Sequence, residues 1–222
     1  MTLMDSRSNA YRKLFRSGLV LVLLFVGYGL FLINRSGSGG SGAPSTVPLP
    51  VLRTISSMDL VDQEGEPVNL QTFRGQPWFA NIIFTRCPGP CARMTQKMRQ
   101  LQEALPAEAS EVQLVSLTTD PDFDTPEVLS QYARKFQADI RSWKFLTGTK
   151  EEIVRVSTQE WLLVMLEKGE AERESPNDIF LHSTLTVLMD GLGRIRGTYE
   201  ILEEGQLEEA LADLQRLLQE AS

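Results

Sequence analysis

An α/β domain built on a central sheet, carried behind a membrane-spanning segment, is the fold class this sequence predicts, and three observations predict it. Apolar runs fit for buried strands, at 78–84 (WFANIIF), 112–117 (VQLVSL) and 143–146 (WKFL), alternate with segments of helical periodicity, the pattern of βαβ units with parallel strands. A hairpin pattern around Asp190-Gly191-Leu192-Gly193 follows near the C-terminus and makes the sheet mixed. A stretch without charge, 17–33, precedes all of it.

That stretch is near the short limit for a helix that must span with about 20 residues, and Arg16 and Arg35 can snorkel at its ends. Arg7, Arg12, Lys13 and Arg16 lie before it, so the positive-inside rule leaves 1–16 in the cytoplasm, makes 17–35 the anchor and exports the rest. A cleaved signal peptide would need an Ala-x-Ala-like site, where this chain has Gly and Ser. Residues 36–50 (SGSGGSGAPSTVPLP) begin as a flexible Gly/Ser coil and end stiffer and Pro-rich, as a tether does, leaving 51–222 as one domain. The N-terminus has no Arg/Ser-rich transit-like segment, so the expected location is a bacterial inner (cytoplasmic) membrane, single-pass, with the domain on the periplasmic or extracytoplasmic side. Beyond residue 35 the chain keeps 17 of its 22 basic and 28 of its 29 acidic residues, a net charge of −11 that disfavours nucleic acid as a partner.

Within the domain, residues 60–68 read as two short strands around a Gly-containing turn, a hairpin ahead of the core. Run 78–84 delivers the chain to Cys87, after which Met94, Met98, Leu101 and Leu105 recur at helical spacing until Pro106 stops them. Strand 112–117 leads into the polar loop 118–124, and Thr125-Pro126-Glu127 opens a helix with a cap and then Pro at its first position, burying Val128, Leu129, Tyr132 and Phe136. After strand 143–146, Thr149 caps a helix to about Val156. Residues 161–166 (WLLVML) fit helix and strand equally, and 167–178 form a polar excursion or hairpin. The chain returns through Ile179-Phe180-Leu181-His182 to strands at 183–189 and 194–199, and Leu207, Leu211, Leu214 and Leu218 mark a final amphipathic helix.

Both cysteines of the chain lie in Phe84-Thr85-Arg86-Cys87-Pro88-Gly89-Pro90-Cys91. With Cys91 in the first turn of a helix, both side chains can face one spot above its N-terminus, where thiolates are favoured. Such a pair can form a disulfide, attack another disulfide or hold a soft metal ion. The loop between them is too short to be a useful staple, which turns the choice toward redox or metal chemistry. His182, the one histidine, stands between a polar excursion and a strand, at the rim of the sheet. Two sulfurs and one imidazole would make a trigonal set that suits Cu(I) and also serves Cu(II) or Zn(II). The bland alternative is a hydrogen-bonded histidine at a strand start.

The region from about 55 to 220 resembles the Sco/SenC family of copper-binding, thioredoxin-like proteins that take part in assembling cytochrome c oxidase. The resemblance lies in Phe84-Thr85-x-Cys87-Pro88-x-x-x-Cys91, in Val115-Ser116-Leu117 to Asp120-Pro121, in Asp124-Thr125-Pro126-Glu127-Val128-Leu129, in Phe145-Leu146-Thr147-Gly148 and in His182-Ser183. It implies a thioredoxin-like fold with an N-terminal β-hairpin extension, copper as Cu(I) or Cu(II), and Cys87, Cys91 and His182 as its ligands. Two departures stand out: proline precedes the second cysteine (Pro90) where the family places it after, and Leu181 stands where an aspartate usually precedes the histidine.

The function implied is that of a membrane-anchored copper chaperone serving subunit II of cytochrome c oxidase, at its CuA-type site, or another terminal oxidase. Periplasmic copper donors or thiol reductants would be its other partners. One alternative is a thiol-disulfide oxidoreductase, with Cys87 and Cys91 as the redox-active pair, keeping the oxidase's copper-ligand cysteines reduced. The other is a redox or copper sensor. A peroxiredoxin-like reading is weaker, because Thr85 and Cys87 are one position too close for Thr-x-x-Cys.

Overall fold

The computed structural model describes residues 47–105, 112–173, 175 and 179–220, with the backbone alone at 180–182. The expected membrane anchor 17–35 and residues 36–46 of the expected tether lie outside the described residues. Among the described residues no helix is long and apolar enough to cross a membrane.

Among the described residues ten strands and four α-helices follow in chain order. The strands are β1 (Arg53–Thr54), β2 (Asp59–Val61), β3 (Pro67–Asn69), β4 (Trp78–Ile83), β5 (Gln113–Thr118), β6 (Trp143–Leu146), β7 (Met165–Glu167), β8 (Phe180–His182), β9 (Leu185–Met189) and β10 (Arg194–Glu200). The helices are α1 (Cys91–Ala104), α2 (Pro126–Lys135), α3 (Lys150–Val154) and α4 (Gln206–Glu220). Six strands form one sheet in the order β1-β10-β9-β4-β5-β6. Strands β4, β5 and β6 run parallel, joined by helical crossovers, and β9 and β10 are antiparallel additions, so the sheet is mixed as expected.

β4 is the centre of this sheet, buried at all six positions, which is why WFANIIF reads as a continuous apolar run. Its register, Trp78↔Gln113 to Ile83↔Thr118 against β5 and Trp78↔Met189 to Asn81↔Thr186 against β9, gives the sheet two poles. The C-terminal ends of β4 and β5 share one pole with the N-terminal end of β9. The hairpin of β2 and β3 stands apart from the main sheet, bridged to it by Val61 and Thr147. An Asp62–Lys144 ion pair of 2.7 Å, buried on the Asp62 side only, ties it to β6.

Three local expectations change. The helix capped by Thr149 does not stop near Val156: it widens into π-type turns over Arg155–Glu160. The Glu160 carboxylate draws it inward, accepting the Ser56 N–H at 2.8 Å and Arg155 Nη1 at 2.8 Å. Residues 161–166 resolve into a break, with Leu162 at φ 61°, followed by β7. The strand read from 183 begins at Leu185, because Ser183 N–H is taken by Val164 O at 2.9 Å in the separate two-stranded sheet of β7 and β8. In α2 the buried face is Leu129, Tyr132 and Ala133, with Val128 and Phe136 half-buried.

Candidate metal centre

Beyond Ile83 the chain leaves the sheet at its functional pole. Phe84 is buried, Thr85, Arg86 and Cys87 are half-buried, and the Cys87 N–H returns to Phe84 O at 3.2 Å to close a turn. Gly89 N–H donates to Cys87 Sγ at 3.4 Å. Pro90 adopts φ −73° and ψ −24°, already helical, and its carbonyl accepts Met94 N–H at 2.9 Å. Proline there is compatible with the helix start, where an N–H has no intrahelical partner. Cys91 is thus the first residue of α1, and the two cysteines are not joined by a disulfide.

The helix N-terminus favours an anion at Cys91, yet burial wins: the side chain is 1% exposed, and its pKa is driven far above the ordinary thiol range. The hydrogen bond and charge of the neighbouring Cys87 push it further in the same direction. The metal-free pair therefore combines a buried, protonated sulfur with a more accessible one in contact with it. A soft cation held by both sulfurs would compensate their charge and displace the proton from Cys91.

His182 is the last residue of β8, its backbone opposite Met165 of β7. Four residues later Thr186 pairs with Asn81 of β4, so the chain passes from His182 into β9 at the cysteine pole. Among the described side chains no group of three His, Cys, Asp or Glu residues is arranged to hold a metal ion. The His182 side chain lies outside that description.

The residues that sequence reasoning did not single out are in loop 119–124 and the strand end before it. Asp124, 0% exposed, accepts Thr85 N–H at 3.0 Å on Oδ2, the Thr85 hydroxyl on Oδ1 and the Thr118 hydroxyl at 2.5 Å. Burial pushes its pKa up, and these three donors offset only part of that rise. Arg86 reaches Asp120 Oδ2 through Nε at 3.2 Å and Nη2 at 2.7 Å, with its guanidinium 4.1 Å from the centroid of the Phe123 ring. The signal for this cluster was the Asp120-Pro121 to Asp124-Thr125-Pro126 segment, legible as a likeness and silent about contacts. A cavity of about 440 Å³ lies elsewhere, at the opposite pole, lined among others by Arg74, Leu192, Arg196 and Glu220.

Comparison with known proteins agrees with this architecture. The SCO1/SenC family profile matches residues 50–219. The chain is 27% identical over 165 residues to the SCO1 protein homolog of Bacillus subtilis, covering 74% of this chain and 83% of that protein. A crystal structure of a SCO1/SenC family lipoprotein from Bacillus anthracis superposes with a TM-score of 0.69 at 28% identity, covering 79% of this chain and 99% of the other. The structure of Bradyrhizobium japonicum ScoI with copper bound does so with a TM-score of 0.62 at 25% identity, over 74% and 99% of the two chains. The mixed sheet, its helical crossovers and the profile match across most of the chain make this protein a thioredoxin-like member of the SCO1/SenC family.

Proposed function

We propose that this protein is a membrane-tethered copper chaperone that binds one copper ion through the thiolates of Cys87 and Cys91 and the imidazole of His182. It passes the ion to cytochrome c oxidase, with the CuA-type site of subunit II as the receiving centre. The single observation that carries the reading is the sulfur pair at the start of α1, one member half-exposed and the other buried, in a chain similar to a copper-bound relative. Two soft sulfurs favour Cu(I), and an accessible Cys87 provides the point where an incoming ligand can begin exchange. The segment 17–35 tethers the domain on the extracytoplasmic side of a bacterial membrane.

The test is a copper titration of the purified chain. Near-stoichiometric binding is expected for the native protein and its loss for Cys87→Ser and His182→Ala; binding that survives either change overturns the ligand set.

The same asymmetry of the pair favours a second reading, a thiol-disulfide oxidoreductase in which Cys87 attacks a partner's disulfide and Cys91 resolves it. That chemistry does not use His182. Full disulfide reduction by copper-free His182→Ala would support it over the chaperone.

A further inference from the structure

We propose that Asp124 is a positioning residue for the Cys87 thiol, holding the turn that carries it against the sheet so that both sulfurs present themselves to one metal ion. This rests on the role given above to the cysteines. The carboxylate comes from the loop that opens α2, and all three of its described donors lie at or just beyond the C-terminal ends of the parallel strands β4 and β5. Thr118 is the last residue of β5, and Thr85 stands two residues past β4 and two before Cys87. Thr85 is held twice, through its N–H at 3.0 Å and through its hydroxyl. Thr118 is itself oriented by the Asp120 N–H, which donates to its hydroxyl at 3.0 Å, and Asp124 N–H donates to Asp120 O at 2.8 Å.

The next residue is tied to the same loop from the outside, by the Arg86–Asp120 pair and the stacking of Arg86 on Phe123. Both residues that precede Cys87 are thereby fixed to loop 119–124, one by a buried carboxylate and one by a half-exposed ion pair. Burying a carboxylate is costly unless its hydrogen bonds are made, and here they converge on the turn that bears a reactive sulfur. Cys91 is set independently, as the first residue of a packed helix. What Asp124 controls is the position of the other sulfur relative to it, and a thiol displaced by about 1 Å is enough to spoil a metal site.

The experiment compares the full chain in detergent with Asp124→Asn, with Thr85→Val, which loses one of the two ties to Thr85, and with Leu214→Ala, a core truncation in α4 as a control for lost stability alone. Three readouts are taken: copper affinity, the sulfur-to-copper charge-transfer spectrum of the Cu(II) form, and the rate at which iodoacetamide alkylates Cys87 in the metal-free protein. Asp124→Asn is expected to weaken copper binding by about tenfold, the lower end of the effect of losing a residue that orients a ligand, to shift the spectrum and to speed alkylation several-fold. Thr85→Val should follow in the same direction to a smaller extent, and it carries the test if Asp124→Asn does not fold. Leu214→Ala should lower the melting temperature and leave the spectrum and alkylation rate unchanged. Native spectrum, affinity and alkylation rate in the Asp124 and Thr85 variants would overturn the proposal. Copper binding that survives Cys87→Ser would instead overturn the copper reading, and alkylation would still decide whether Asp124 positions the thiol.

Discussion

Cys91 shows how burial sets the chemistry of a thiol. With its thiol kept protonated across the ordinary pH range, loading a metal on the pair must displace a proton, and acid opposes it. Apparent copper affinity is expected to fall as pH drops, about tenfold per unit for each proton displaced, in competition titrations at successive pH values. Arg196 is the corresponding residue at the other pole. Its side chain is 4% exposed, and it is held by Asp190 Oδ2 at 3.1 Å, Glu220 Oε2 at 2.6 Å and Leu49 O at 2.6 Å. Truncation to Ala leaves the Asp190 carboxylate, 8% exposed, without one of its two arginines. A loss of about 3–5 kcal/mol is expected from urea unfolding of Arg196→Ala, with copper binding at the proposed site unaffected.

At the scale of elements, the strands announced themselves where both faces are buried. The runs at β4, β5 and β6 are apolar in sequence because they pack under helices, and helix α2 was legible from Thr125-Pro126 because capping is a local device. The π-type turns over Arg155–Glu160 were not legible, and the Glu160 carboxylate at their end is held by Ser56, a residue about a hundred positions earlier. Nor could sequence pattern reveal how tightly the turn between β9 and β10 sits against the end of the 3₁₀ turn Leu70–Phe73. Gly75 N–H donates to Gly191 O at 2.9 Å, and a Cβ on Gly191 would lie 2.5 Å from the Gly75 carbonyl carbon. Gly191→Ala forces those backbones apart and should cost about 1–3 kcal/mol, read as a lower urea midpoint at an unchanged slope.

For the whole molecule, the acidic surplus is partly built into the fold as paired carboxylates. Burial pushes Asp62, Asp190 and Glu220 upward, but the donors around them outweigh it and hold all three below the usual carboxylate range. Those donors are Lys144 and the Glu64 and Glu66 N–H groups at Asp62, the Arg194 and Leu192 N–H groups with the Arg194 and Arg196 side chains at Asp190, and the Leu49 N–H and Arg196 at Glu220. A group whose folded pKa is depressed stabilises the fold above its unfolded pKa, and that contribution disappears as pH falls through the folded value. Stability is therefore expected to hold down to about pH 4, where unfolded carboxylates begin to protonate, and to fall below it, measured as the urea midpoint against pH. Asp124 works in the opposite sense, because its raised pKa favours the protonated form in the folded state.

The sequence by itself determined the α/β class, the order of strand and helix, the closing hairpin, and the place of the cysteines between a buried strand and a helix. These follow from periodicity, turn residues and caps, which act over a few positions. The tertiary structure alone decided that Cys91 is buried while Cys87 is half-buried, and that Asp124 and Arg86 bind the Cys87 turn to loop 119–124. Each depends on burial or on contacts between segments brought together by the parallel pairing of β4 and β5, across 34 positions from Arg86 to Asp120 and 39 from Thr85 to Asp124, and no local pattern encodes such a distance.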